Sequence, residues 1–149
     1  MTNSAINPCL PLEELCNGIN AKGRLAALKG VYTINSEDKL NELYSQVLER
    51  RETPKVDFSK ETVVAYFTGQ MPNDSYRASI TAVFIDGNSV PEMQQSKSII
   101  VNAENERNIG ISWQGLTRPY AVVKVPGVYT TAKLQEILVE RRVVEKFGR

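Results

Sequence analysis

The sequence predicts an α+β domain: an antiparallel β-sheet, or a partly closed β-barrel or sandwich, with one packed amphipathic helix and a C-terminal tail that reads as helical. Three observations carry that prediction. Val63-Val64-Ala65-Tyr66-Phe67 is a continuous apolar run bounded by polar residues and Gly69, the pattern of a strand covered on both faces. Leu40, Leu43, Tyr44, Val47 and Leu48 recur at helical spacing behind Ser36. The rest of the chain offers several further strand-like segments separated by turn residues, and strands plus one packed helix make an α+β domain.

Taken in order, Leu12-Glu13-Glu14-Leu15-Cys16 is expected to form a turn or two of helix that Asn17-Gly18 ends and that caps the core. Residues 24–34 are expected to be extended, interrupted at Gly30, with Val31-Tyr32-Thr33-Ile34 supplying the side chains a strand favours. Ser36 caps the helix, Glu37 and Asp38 sit in the first turn where the dipole favours acids, and Arg50 and Arg51 close it. Thr53-Pro54 then prevents continuation. After the central strand, residues 70–74 are expected to turn into a strand from Tyr76 to Ile85. Asp86-Gly87-Asn88 signals a hairpin into a short segment that Pro91 confines to an edge. Ile99-Ile100-Val101 and the alternating Ile109, Ile111 and Trp113 are expected to pair as a second hairpin across a charged loop, residues 104–108. Tyr120-Ala121-Val122-Val123-Lys124-Val125 reads as the final strand, stopped by Pro126-Gly127. Leu134, Ile137 and Leu138 give the tail from Thr130 its helical reading, turning extended around Val143, Val144 and Phe147.

At 149 residues the chain has the length of a single domain, and one of this size buries roughly 70% of its unfolded surface. No repeat, low-complexity tract or linker divides residues 1–149. Apolar residues at 42% and charged residues at 23% argue against disorder. With 18 Lys and Arg against 17 Asp and Glu, the net charge of +1 argues against a nucleic-acid partner. No apolar run approaches the ~20 residues of a membrane helix, so no transmembrane segment is expected in this chain. Met1-Thr2-Asn3-Ser4 lacks the basic and apolar regions of a signal peptide. Cys9 and Cys16 leave two readings open: a disulfide closing a small loop in an oxidising compartment, or small buried apolar side chains. Pro8 makes Ile6-Asn7-Pro8-Cys9 a poor lipoprotein cleavage site.

Histidine is absent, which excludes Ser-His-Asp triads, Cys-His pairs and His-bearing zinc sites. Two cysteines cannot form a four-cysteine site, and no glycine-rich phosphate loop is present. No catalytic, cofactor-binding or metal-ligating residue is therefore assigned. Ser36-Glu37-Asp38-Lys39 has the Ser-x-x-Lys spacing of serine acyl enzymes, but the partner motifs are missing and Ser36 is wanted as an N-cap regardless. A carboxylate-dependent hydrolase is the enzyme alternative. Asp57, Asp74 and Asp86 are its candidates, yet all lie in turn contexts and no spacing selects a pair. Asp86-Gly87-Asn88 lacks the later acidic positions of a calcium loop. Asn73-Asp74-Ser75 is a glycosylation acceptor sequence and marks an exposed loop. Trp113, Tyr120, Tyr76 and Arg118 have the composition of a protein-binding surface, although each aromatic suits a core equally well.

Several segments together resemble the C-terminal domain of the PrcB-like family. These are Val56-Asp57-Phe58-Ser59-Lys60, the strand ending at Gly69, Ser75-Tyr76, and Leu116-Thr117-Arg118-Pro119-Tyr120-Ala121-Val122-Val123-Lys124-Val125-Pro126. Asn17-Gly18-Ile19 and the helix after Ile34-Asn35-Ser36 look like that family's entry segment. The likeness covers residues 17–126, leaving an N-terminal segment (1–16) and a C-terminal extension (127–149) outside it. The family usually has Gly-Gly-Tyr after the central strand, where this chain has Asp74-Ser75-Tyr76. The resemblance implies a non-catalytic accessory subunit of the bacterial envelope that stabilises or recruits another protein, such as a surface protease. It further implies a periplasmic, cell-surface or secreted location among lipoprotein relatives, with an export signal expected ahead of the natural chain. The contact surface is expected at Met71, Asp74, Tyr76, Arg118 and Tyr120. A structural protein that self-associates through its amphipathic tail, residues 130–149, is the remaining alternative.

Overall fold

The computed structural model of the chain describes residues 9–23, 29–87, 98–110 and 114–142. Among these, the elements in chain order are β1 (Glu13–Gly18), β2 (Gly30–Ile34), α1 (Glu37–Glu42), a π-helical turn (Leu43–Val47) and β3 (Glu61–Phe67). There follow β4 (Met71–Asn73), β5 (Tyr76–Ile85), β6 (Ser98–Ile109), β7 (Gln114–Thr117), β8 (Tyr120–Pro126) and β9 (Thr131–Arg142). The strands form a four-stranded antiparallel sheet in the order β1-β8-β3-β2, a three-stranded sheet in the order β5-β6-β9, and a ribbon of β4 and β7. None of these sheets closes into a barrel.

The four-stranded sheet is the middle layer because its central strands are apolar on both faces. Val63, Ala65 and Phe67 of β3, with Tyr120 and Val122 of β8, pack against Leu40, Leu43, Tyr44 and Leu48 of the helical segment. The alternate residues Val64, Tyr66, Ala121, Val123 and Val125 point the other way, onto Ala78, Ile80, Val83, Ile99, Val101 and Ala103 of the three-stranded sheet. A strand side chain faces each layer in turn, so a sandwiched strand must be apolar throughout, as residues 63–67 are. All five are fully buried.

The helix begins as its sequence dictates: the Ser36 hydroxyl accepts a hydrogen bond from the Lys39 amide at 3.3 Å, and Glu37 and Asp38 occupy the first turn. Leu40 is buried outright, which stabilises the fold by roughly 2–3 kcal/mol. Beyond Glu42 the backbone widens into the π-helical turn, and Glu49, at φ 51°, ends the segment in the left-handed region.

Several expectations are corrected. Leu12-Glu13-Glu14-Leu15-Cys16 is not helical; from Glu13 onward it belongs to β1, which pairs with β8. A run that short cannot sustain a helix in isolation, whereas the open edge of β8 offers a full ladder. A bulge between Glu14 and Cys16 turns Leu15 as well as Cys16 toward the helical layer. Within residues 70–74, Met71–Asn73 is a short strand, and the turn follows it at Asp74 and Ser75, where the Asn73 side chain accepts from the Ser75 amide at 2.9 Å. The expected charged loop at 104–108 lies inside β6, which runs unbroken for 12 residues. Its acids face outward in strict alternation with Val101, Ala103 and Asn105, and such a polar face resembles a loop when read alone. Ile111, Trp113 and the Pro91 segment lie outside the described residues.

The largest correction concerns the tail. Residues 131–142 are a strand, β9, and not a helix, so β8 is not the last strand. β9 pairs with β6 in parallel over its whole length, the exception to an otherwise antiparallel set of ladders. The helical spacing of Leu134, Ile137 and Leu138 is fortuitous: Leu134 packs on the core while Ile137 and Leu138 stay 57% and 70% exposed. No helix among the described residues is long and apolar enough to cross a membrane.

Candidate functional site

Among the described residues, two surface clefts bring polar groups together. The larger, about 420 Å³, is lined by Leu15, Cys16, Tyr44 and residues 50–54. Three of its polar side chains are already engaged. The Cys16 thiol donates to the Tyr44 hydroxyl at 3.3 Å, and the Arg50 guanidinium donates to the Tyr120 hydroxyl at 3.1 and 2.9 Å and to the Asn17 carbonyl at 2.9 Å. Gly18 is required here, since a Cβ at that position would stand 2.6 Å from the Tyr120 hydroxyl. Burial raises the Cys16 thiol and the Tyr44 phenol above their ordinary values, in each case as the largest effect. A thiol held neutral by burial is a poor nucleophile. The cleft is a hydrogen-bonded clamp between helix, β1 and β8.

Of the two readings left open for the cysteines, the structure holds both as free thiols. Cys9 is an exposed free thiol whose residue bridges Phe84 of β5, and Cys16 is a buried free thiol in β1 facing the helical layer. Cys9 thus bridges to the three-stranded sheet, while Cys16 is part of the four-stranded one.

The smaller cleft, about 210 Å³, is lined by Asn20, Ala21, Lys22, Gln70, Leu116, Thr117 and Arg118. Backbone bonds on both sides fix Arg118 against the segment after β1: its amide donates to Ile19 at 2.7 Å and its carbonyl accepts from Ala21 at 3.1 Å. Lys22 is tied likewise, its amide donating to Val47 at 2.7 Å. The Arg118 guanidinium donates to Gln70 at 3.3 Å and to the Gly23 carbonyl at 3.5 Å, and no acid among the described residues pairs with it. Leu116 stands at the rim, 69% exposed.

Of the five expected contact residues, Arg118 lines this cleft and Met71 lies beside it on the ribbon, while Asp74 and Tyr76 follow beyond the ribbon strand. Met71 pairs with Thr117 across the ribbon, its sulfur accepting from Asn105 at 3.7 Å. Asp74 lies in the turn after the ribbon strand, and Tyr76 opens β5 with the Arg107 guanidinium 5.8 Å from its ring centre. Arg118 lines the cleft itself. Tyr120 does not join them: it is 4% exposed, packed in the helical core, with its hydroxyl taken by Arg50. Gln70 opens the loop that the sequence already marked, whereas Asn20, Lys22 and Leu116 carried no sequence mark as contact residues. Leu116 was legible as an apolar residue isolated among polar ones, but only the pairing of β1 with β8 brings Lys22 beside Arg118.

The carboxylate candidates do not converge. Asp74 and Asp86 flank the ten-residue strand β5, roughly 30 Å apart at about 3.3 Å per residue, whereas glycosidase carboxylates stand within about 10 Å of each other. Asp86 is buried and ion-paired to Lys133 at 3.1 Å. Asp57 accepts from Ser59 in the turn before β3, bonds that hold its carboxyl below the usual range. Ser36 serves as the helix cap. Among the described residues no group of three His, Cys, Asp or Glu side chains could hold a metal ion.

No family model matches the chain, and no curated protein and no solved structure matches it either. The PrcB-like resemblance gains no support from them.

Proposed function

We propose that the chain is a non-catalytic binding protein that docks another protein on the edge formed by the β4-β7 ribbon, Leu116 and Arg118. The observation that carries this reading is Leu116 exposed beside an Arg118 guanidinium that has no acidic partner among the described residues. Arginine is enriched among the residues that dominate binding energy, and an apolar neighbour helps exclude water around it. The sequence resemblance to PrcB-like proteins supports an accessory role in the bacterial envelope, outside the cytoplasm. Affinity capture from the source cell's envelope with the tagged native protein tests it. A stoichiometric partner that survives salt washing, and is lost with Leu116→Lys or with Met71→Ala combined with Arg118→Ala, is the expected result. A complex indifferent to those changes overturns the surface assignment.

A second reading rests on Ile137 and Leu138, two adjacent apolar residues exposed on β9, an edge strand of the three-stranded sheet. Exposed edges of this kind pair readily with another chain, so self-association through β9 is the rival. Deleting the tail would dismantle the sheet. Sedimentation of Leu138→Lys beside the parent is the sounder test, with unchanged mass removing the rival.

A further inference from the structure

We infer that the Arg118 cleft receives a carboxylate of the docked protein. The inference rests on the binding reading above and adds the chemistry of the contact. Arg118 and Lys22 line one small cleft, and among the described residues the one acid paired with either is Glu49, 3.9 Å from Lys22, with both of those side chains more than half exposed. A surface pair of that length contributes about 0–1 kcal/mol, so Lys22 is nearly as available as Arg118. The two hydrogen bonds that Arg118 does make are long, at 3.3 and 3.5 Å, which leaves the planar donor fork free to meet a planar carboxylate with two parallel bonds. Its backbone is already clamped to residues 19 and 21, and that of Lys22 to Val47, so little backbone freedom is lost on binding.

Size selects the kind of ligand. Sites for whole small molecules occupy about 300–1,000 Å³. The cleft, at about 210 Å³, accommodates one residue of a larger partner. Leu116 at the rim would cover an apolar side chain next to the acid. The group recognised is thus a peptide carboxylate with an apolar neighbour, carried either on an acidic side chain or at a chain terminus.

The test is a nitrogen-15 NMR titration of the full-length protein with three probes. They are acetyl-leucyl-glutamate amide, acetyl-leucyl-leucine with its free terminal carboxylate, and acetyl-leucyl-glutamine amide as the neutral control. Saturable shifts of the Lys22 and Arg118 amides with either acidic probe are expected, and the stronger of the two names the source of the carboxylate. Arg118→Gln should weaken that binding at least tenfold, roughly the loss of one charge-assisted contact. Lys22→Gln should weaken it several-fold, and an otherwise unchanged spectrum verifies the fold of each variant. Equal shifts with the neutral control, no shifts with either acid, or full affinity in both variants overturn the inference. So does tighter binding of inorganic phosphate than of both acids. Retention of the captured envelope partner by Arg118→Gln together with failure of the probes would overturn the carboxylate alone and leave the docking surface standing.

Discussion

Glu136 is where the strand assignment of the C-terminal segment can be measured. Its carboxylate, with the side chain only 9% exposed, accepts from the Tyr66 hydroxyl and pairs with Lys29, so it joins β9 to the middle layer. Burial, then the bond to Glu136, raises the Tyr66 phenol well above its ordinary value, and the residue is fully buried. Glu136→Ala leaves that phenol without an acceptor, at about 1–3 kcal/mol, and removes packed methylenes worth roughly 0.8 kcal/mol each. Relief of a desolvated carboxylate offsets part of this, so a net loss of about 2–3 kcal/mol is expected. For a chain of this length that lowers the melting temperature by roughly 4–12 °C. Lys29→Gln should cost about 1 kcal/mol or less, because the lysine is mostly in water. Urea unfolding of Glu136→Ala, Tyr66→Phe and the double variant completes a cycle. A coupling of about 1–2 kcal/mol between the two sites is expected. If Glu136→Ala lies within about 0.5 kcal/mol of the parent and the two changes add, β9 is not docked as described.

Three further outcomes follow from the same geometry. Ellman's reagent should titrate Cys9 rapidly and Cys16 only at the rate of unfolding, with both thiols counted in denaturant; a chain with no free thiol would restore the disulfide. Gly18→Ala should cost about 1–3 kcal/mol, since its Cβ would meet the Tyr120 ring from 2.6 Å, and near-neutral stability in thermal unfolding would refute that approach. Stability should fall with rising pH in the alkaline range. Cys16, Tyr44, Tyr66 and Tyr129 have raised folded values, so the unfolded chain loses these protons first, from about pH 8.5 for the thiol and about 10 for the phenols. The stability they contribute is whole below that range and declines above it; a flat profile from pH 8 to 11 would contradict their burial.

What the sequence made legible is what local chemistry controls. Ser36 caps a helix whatever surrounds it, and residues 63–67 announce a doubly covered strand by being apolar on both faces. Tyr76 to Ile85 likewise emerges as a strand with its stated bounds. The failures share a cause. β1, β4 and β9 are strands because a partner from a distant part of the chain completes their ladders, and Glu13-Glu14 or Leu134, Ile137 and Leu138 carry no mark of that partner. For the candidate surface the aromatic and arginine composition could not tell that Tyr120 turns inward while Leu116, four residues earlier, turns out.

The parallel pairing of β6 with β9 also sets an order of events during synthesis. Each residue of β6 stands in register with one 33 positions later, from Ser98 with Thr131 to Ile109 with Arg142. β1 must likewise wait for β8, Glu13 meeting Lys124. While the ribosome still holds β9, β6 therefore presents a bare twelve-residue edge to the cell, and parallel, distant pairings form slowly once they can. The nascent chain is most vulnerable to misassociation in the interval before β9 emerges, and a chaperone or a fast-binding partner would matter most there.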